Sequence, residues 1–409
     1  MDVGIESLNV YAGLARIGVR ELLAGRGLDP DRQANLLMTS RSVGLPFEDP
    51  VTNAVNAAAP ILAGLDPTDR AAIELLVTST ESGVDLSKSV ASYVHDHLGL
   101  GRACRVLEVK QACYAATGAV QLAAGYLASG VSPGAKALVI ATDVALVDAR
   151  AGFAEPATGH GAVALLVSDR PRVLTLDLGA FGCHSYETLD SARPSPRFDI
   201  ADVDRSLFTY LDCLTSSFAG YRDRVDGADF VTTFDQLAMH TPFAGLVRAA
   251  HRKMLREAGT SVDLVAADFE RRVAPSLRLP AMVGNLCSGS VYLALASMLT
   301  HADVSAGARV GLYAYGSGCS AEFFSGLVDA GSARAVQAMG IPAYLAGRYE
   351  LTFAEYTQLL ADTADVLVPA EHRTVELGGY RKILERGRAG RPLLAHTGAK
   401  DYHRRYEWV

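Results

Sequence analysis

Between Arg105 and Leu127 a short alternating segment runs directly into a long stretch of small residues, and this junction restricts the fold more than any other part of the chain. Leu107 and Val109 stand between Arg105, Glu108 and Lys110, which predicts a short strand. The stretch that follows, rich in Ala, Leu and Gln, predicts a helix mostly buried among small residues. Cys113 falls where the two meet. There it would feel the unpaired N–H groups and positive end of the helix, which favour thiolate over thiol and make a nucleophile near neutral pH. The other reading of such a residue is a buried structural cysteine.

Composition narrows the setting. With 409 residues, 49% hydrophobic and 20% charged, the chain has core enough for one large or two fused globular domains. The net charge of -7, with no basic stripe carrying interleaved aromatics, argues against a nucleic-acid binder, so an anionic partner must be met by a local basic patch. Met1 to Glu6 lack the basic and apolar regions of a signal peptide, and apolar runs such as Ala162 to Val167 are too short to span a bilayer. A cytoplasmic protein that engages no membrane is therefore expected. The six cysteines are scattered without a Cys-x-x-Cys pair, which predicts free thiols and gives no reason to expect a metal site or a disulfide framework.

Taken in order, Val19 to Gly27 and Asn53 to Leu65 predict helices separated by Asp29-Pro30 and Glu48-Asp49-Pro50. Ala71 to Thr80 predicts a buried strand that delivers Glu81 to its carboxyl end, where α/β proteins place working groups. Ser87 to Leu98 predicts a helix on which His95 and His97, two positions apart, face different sides and suit solvent better than a metal. Further strands are expected at Gly134 to Asp143 and Ala162 to Ser168, with His160 in a glycine-flanked structural turn between them. Ser168 to Arg172 marks a boundary, giving halves 1–170 and 171–409. Beyond it, 182–206 reads as a long loop covering something, and Leu207 to Tyr221 and Phe243 to Arg256 read as helices. Gly307 to Gly316 echoes Gly134 to Asp143, and Gly284-Asn285 ahead of the helix-like Ser288 to Ser297 mirrors Cys113 ahead of its helix. An internal duplication of an α/β unit follows. After Ala330 helices and a polar tail are expected.

Glu81, Cys113, His240, Asn285 and Ser317 are the polar or reactive groups that fall at expected strand ends and helix starts. Around them the sequence resembles the 3-hydroxy-3-methylglutaryl-CoA synthases, thiolase-like condensing enzymes, from Gly4 to about Gly326. The resemblance lies in Thr78-Ser-Thr-Glu-Ser-Gly83, Glu108-Val-Lys-Gln-Ala-Cys-Tyr114, Phe234 to Phe243, Gly284-Asn285 leading into Val291-Tyr-Leu-Ala-Leu295, and Tyr315-Gly-Ser-Gly318. Ile5 to Leu14, Leu45 to Pro50, Cys183 to Glu187 and His240 to Arg252 look most like the branch that installs β-branches on carrier-protein-bound polyketides.

The resemblance implies a thiolase-like α/β fold, two pseudo-duplicated halves in αβαβα layers, and a homodimer. It implies that Cys113 takes an acetyl group as a thioester, and that Glu81 removes a methyl proton and later protonates the alkoxide. His240 would orient the acceptor's oxygens, with Asn285 and Ser317, beside Tyr315 and Gly316, holding its thioester. No bound cofactor is implied: acyl groups would arrive on the phosphopantetheine of acyl carrier proteins or on CoA. The chemistry asks for the same groups, since carbon–carbon bond formation from acetate needs a covalent thioester, a placed base and donors aimed at developing oxyanions. Without the resemblance, His240 ahead of Thr241-Pro242 reads equally well as a helix cap. Arg248, Arg252 and Lys253 read as a solvated face, or as a patch for a phosphopantetheine phosphate or an acidic carrier protein. Two departures touch the acyl pocket: Val147 stands where mevalonate-pathway members carry tyrosine, and the Asp143 to Glu155 connection is short. The alternatives are a mevalonate-pathway synthase, a decarboxylating ketoacyl synthase of the same fold, for which Glu81 is superfluous, and a non-catalytic carrier-docking subunit.

Overall fold

The computed structural model describes residues 2–144, 146, 154–388 and 390–409. Nine strands form its central sheet: β1 (Gly4–Tyr11), β2 (Ile73–Ser79), β3 (Arg105–Val109), β4 (Lys136–Val144), β5 (His160–Ser168), β6 (Leu174–Ser185), β7 (Gln236–Met239), β8 (Arg309–Gly316) and β9 (Ser320–Leu327). Their order across the sheet is β7-β8-β9-β6-β1-β5-β4-β2-β3. Outward from the centre, β1-β5-β4-β2 on one side is matched by β6-β9-β8-β7 on the other. In both series the outer pair is parallel and the remaining pairs antiparallel. Within the sheet the two series pair, among the described residues, at Gly4↔Thr175 and Ile5↔Leu174.

Strand alternation explains how this sheet makes layers. In β4 and β5, residues Ala137, Val139, Ala141, Val163, Leu165 and Val167 point into one core, and Leu138, Ile140, Ala162, Ala164 and Leu166 into another. The first core also receives Val310, Leu312 and Ala314 of β8, together with the helices Ala115–Ala128 and Ser290–His301. These two helices therefore lie between the half-sheets, and such a place demands the small side chains that fill the first of them. Helix Pro50–Ala63 covers the outer face of one half-sheet and helix Val203–Arg224 that of the other, completing five layers.

Several expectations change. Segment 182–206 carries the end of β6 and then a hairpin, Ser191–Ser195 with Phe198–Ala201. Its order comes from polar contacts to distant groups rather than from apolar alternation, which is why it reads as a loop. His160 is the first residue of β5, paired with Val144 and buried beside Glu48, not a turn residue. The neighbouring glycines do mark close backbone approach, since a β-carbon on Gly161 would meet the Tyr11 carbonyl. His95 and His97 are half-buried: the first bonds the Gly101 carbonyl and the second packs on Tyr406. The polar tail folds as a sheet of three strands, His372–Thr374, Leu394–Lys400 and His403–Trp408, with Arg404 and Tyr406 bound to buried Asp49.

Glu48, at the foot of helix Pro50–Ala63, accepts from the Tyr11 hydroxyl (2.5 Å) and the Leu45 N–H (3.0 Å). Burial lifts its pKa from 4.5 to about 7. The folded state then holds a proton that the unfolded chain has released, so this group's stabilisation is complete below 4.5 and fades as pH rises toward 7. In Glu48→Gln that fade is absent. The expected outcome is a Tm that falls less between pH 5 and pH 8 than in the unaltered protein, a relative gain on the order of 3 kcal/mol.

Candidate active site

Cys113 sits in a single 3-10 turn, Ala112–Tyr114, wedged between β3 and the helix Ala115–Ala128. Ala112 adopts φ 42°, a left-handed conformation that a non-glycine residue holds only when its surroundings fix it. Here they do. The Tyr114 hydroxyl donates to Glu322 Oε2 (2.7 Å) and Gln121 donates to Glu322 Oε1 (2.7 Å), so one buried carboxylate of β9 ties down the turn and the first part of the helix. From β8, Gly316 packs against the same turn, leaving no room for a side chain.

Glu81 follows β2 at a loop organised by one acceptor. Asp143 Oδ1, near the end of β4, receives the Thr80 hydroxyl (3.0 Å), the Glu81 N–H (2.9 Å) and the Ser82 hydroxyl (3.0 Å). Asp143 Oδ2, buried, has no partner among the described residues. Above the loop the hairpin supplies Arg193, held by both oxygens of Asp199 (2.5 and 2.9 Å), which donates to the Ser82 hydroxyl (2.7 Å) and stands 3.5 Å from Glu81 Oε1. Burial raises the Glu81 pKa, with Arg193 opposing; Asp143 is raised as well, by burial and then by the charge of Glu81.

A third reactive group completes the cluster. Cys287 precedes the helix Ser290–His301, with φ 48° and its N–H bonded to Asn285 Oδ1 (3.0 Å), and its thiol lies 3.5 Å from Glu81 Oε1. Ligand atoms of Glu81, Cys113 and Cys287 all lie within 4.8 Å of one another. A hydrogen bond from Cys287 lowers the Cys113 pKa, but burial and the nearby Glu81 charge together outweigh it and the net shift is upward. The expectation of a helix-stabilised thiolate is thus corrected for this resting state. The helix proper begins two residues later, and the half-buried cysteine stands beside the carboxylates of Glu81 and Asp143.

His240 follows β7 with its N–H on the Tyr313 carbonyl (2.7 Å) and its own carbonyl accepting the Tyr210 hydroxyl (2.8 Å). Its ring lies between Tyr210 and Tyr315, Nδ1 has no partner, and burial drives its pKa down to about 3, so the imidazole is neutral. It caps no helix, because the next helix starts at Ala244 with Phe243 as its N-cap residue. The Asn285 side-chain oxygen is engaged by Cys287 and Ser290, which turns its NH2 group outward from that turn. Ser317 is half-buried in the β8–β9 connection, while the Tyr315 hydroxyl is bound to Asp190 (2.6 Å) and is not free for a ligand. Arg248 and Arg252 are exposed on helix Ala244–Glu257, but Lys253 leaves the patch by bonding Thr215 and Glu257. Val147 lies outside the described residues.

Sequence reasoning missed Cys287, Arg193, Asp143, Asp190 and Glu322 as parts of the site. Cys287 had a signal: it stands before the second helix of the duplication much as the Cys113 turn stands before the first. The others are marked by nothing local.

Comparison with known proteins adds to this geometry. Residues 51–171 match the family model "Hydroxymethylglutaryl-coenzyme A synthase N terminal" and residues 256–375 match "Hydroxymethylglutaryl-coenzyme A synthase C terminal". The chain is 41% identical to the polyketide biosynthesis 3-hydroxy-3-methylglutaryl-ACP synthase PksG of Bacillus subtilis, over 100% of both chains. It is 34% identical to the hydroxymethylglutaryl-CoA synthase of Enterococcus faecalis, over 89% of this chain and 93% of that one. The crystal structure of the curacin biosynthetic pathway HMG synthase in complex with acetyl donor-ACP superposes with a TM-score of 0.97 at 43% identity, covering 100% of each chain.

A β-carbon at residue 316 would lie 2.5 Å from both the Gln111 carbonyl oxygen and the Tyr114 nitrogen. Gly316→Ala is expected to displace the nucleophile turn and change the alkylation rate of Cys113 by iodoacetamide at least about tenfold. Gly125→Ala, where a β-carbon meets open space, should leave that rate unchanged. Peptide mass mapping of Cys113 reads both.

Proposed function

Since the chain belongs to the hydroxymethylglutaryl-CoA synthase family, we propose that Glu81, Cys113 and His240 are the groups with which it performs that family's condensation. The enzyme joins an acetyl thioester to a β-ketoacyl thioester by aldol addition and hydrolyses the resulting enzyme-bound thioester. One observation carries the assignment: a carboxylate 32 positions from a cysteine in the chain is folded to within 4.8 Å of its sulfur.

Each group then has a part. The Cys113 sulfur takes the acetyl group while its proton leaves with the departing carrier thiol. Burial makes Glu81 a stronger base than an ordinary carboxylate, and Arg193 keeps it from losing its charge altogether; it takes a proton from the acetyl methyl. The carbanion adds to the acceptor's β-carbonyl, Glu81 returns the proton to the alkoxide, and water releases the product acid and restores the thiol. His240, neutral by burial, donates a hydrogen bond to the acceptor oxygens without competing as a cation. The Asn285 NH2 group and Ser317 serve the acceptor thioester. Gly316 acts by shape and Tyr315 through Asp190, rather than as direct ligands. A decarboxylating synthase needs no carboxylate against its nucleophile, so the placement of Glu81 favours the aldol reading.

We assign the acyl groups to acyl carrier proteins in polyketide β-branching; in support, the B. subtilis relative is named a polyketide biosynthesis 3-hydroxy-3-methylglutaryl-ACP synthase and the curacin enzyme was solved in complex with acetyl donor-ACP. Arg248 and Arg252 are the proposed carrier contacts. The halves 1–170 and 171–409 are taken as the duplicated units, and the cytoplasm as the location. Among the described residues no helix is long and apolar enough to cross a membrane. A homodimer is proposed through β3, the exposed outer strand of the sheet, where Leu107 is 41% exposed and its open edge is suited to pairing.

With acetyl-loaded carrier protein, Cys113→Ala should show no acetyl adduct by intact mass. Glu81→Ala should accumulate the adduct while product formation falls by roughly 100-fold or more; full turnover in that variant contradicts the assignment. Joint charge reversal, Arg248→Glu with Arg252→Glu, should raise KM for a carrier-bound acceptor about tenfold with little change in kcat, as steady-state kinetics on carrier-bound substrate will read.

A further inference from the structure

We propose that Glu81, Cys113 and Cys287 form a binding site for one thiophilic divalent cation of the zinc class, and that the cation masks the nucleophile. The three donors come from three separate segments, and their ligand atoms lie within 4.8 Å of one another, with Cys287 Sγ 3.5 Å from Glu81 Oε1. Around a tetrahedral ion with bonds of about 2.0–2.3 Å, donors stand roughly 3.3–3.8 Å apart, a spacing that Cys287 Sγ and Glu81 Oε1 already have and that a small closure of Cys113 would complete. Two sulfurs and one carboxylate oxygen form a donor set that selects such an ion over magnesium or calcium, and it leaves a fourth position for water.

Asp143, 3% exposed, has an Oδ2 without a partner among the described residues, and its other oxygen holds the Glu81 loop. Arg193, 3.5 Å from Glu81 Oε1, is bound by both oxygens of Asp199, which offset its charge beside the site. Cys287 is built into place: its N–H is held by Asn285, whose side-chain oxygen also takes the Ser290 hydroxyl. The Glu81 side chain keeps 24% exposure and Cys113 is half-buried, so an ion has a way in.

Binding replaces the two S–H protons with two sulfur–metal bonds and releases both protons to solvent. An acetyl group on Cys113 removes one of those ligands, so cation and acyl group exclude each other. That exclusion rests on the reading of Cys113 as the acylated residue; the cation site itself does not.

Metal-free protein is titrated with zinc ions in competition with a chromophoric chelator, and in parallel with cobalt(II), whose absorption reports thiolate ligation. The expected result is one equivalent per chain with a thiolate-to-cobalt band. Affinity should fall at least about tenfold in both Cys287→Ala and Cys287→Ser, each checked for an unchanged Tm, and stay unchanged in Cys213→Ser, which alters another close thiol pair, Cys213 and Cys319, 3.6 Å apart. Absence of a stoichiometric equivalent, a cobalt spectrum without thiolate character, or wild-type affinity in a folded Cys287 variant overturns the site. If zinc binds through Cys287 yet persists on protein preloaded with acetyl groups, peptide mapping decides: acetyl on Cys113 overturns the three-ligand site, whereas acetyl elsewhere leaves the site standing and overturns the acyl-enzyme reading of Cys113.

Discussion

The backbone of Gly316 lies so close to the turn carrying Cys113 that a β-carbon there would stand 2.5 Å from a carbonyl oxygen and an amide nitrogen. A reciprocal contact joins the halves the other way. A β-carbon on Gly159 would lie 2.6 Å from the Asn285 carbonyl oxygen, and one on Gly284 2.4 Å from that of Thr158. Main chain meets main chain in both directions, which fixes relative position far more tightly than flexible side chains could. The Cys113 turn of one half and the Asn285–Cys287 turn of the other are thereby brought face to face.

That proximity places several ionisable groups where water screens them poorly. Glu81, Asp143 and Cys113 are all pushed toward their neutral forms, and Arg193, fixed by Asp199, partly restores the charge that Glu81 needs as a base. The hairpin that carries Arg193 is thus as much a part of the chemistry as the strands beneath it. Asp190, just ahead of that hairpin, binds the Tyr315 hydroxyl and the Gly318 N–H, which couples the covering segment to the β8–β9 connection.

Most of the architecture was legible along the chain because its physical cause is local. Uninterrupted apolar runs announced β4 and β5, the Ala-rich run announced a buried helix, and the repeated order of glycine, basic residue and strand announced the duplication. What escaped has a common reason. The 191–201 hairpin and the C-terminal sheet are held by ion pairs and hydroxyl contacts to residues far away in sequence, so their own segments carry little periodicity. Helix position is a weaker guide: the chain puts Cys113 ahead of a helix, but a 3-10 turn intervenes, and burial together with the Glu81 charge outweighs the Cys287 hydrogen bond and pushes its pKa up.

By itself the sequence determined the kinds of groups available, the strand ends and turns on which Glu81, Cys113, His240 and Asn285 sit, and the layered α/β class, because hydrophobic spacing and turn chemistry act over a few residues. Only the tertiary structure decided which of these groups share one small volume. Cys287 shows the difference: its place before a helix can be read in the chain, but its position beside Glu81 and Cys113 arises from two half-sheets closing on a shared pair of helices, and no spacing between neighbouring residues encodes that closure.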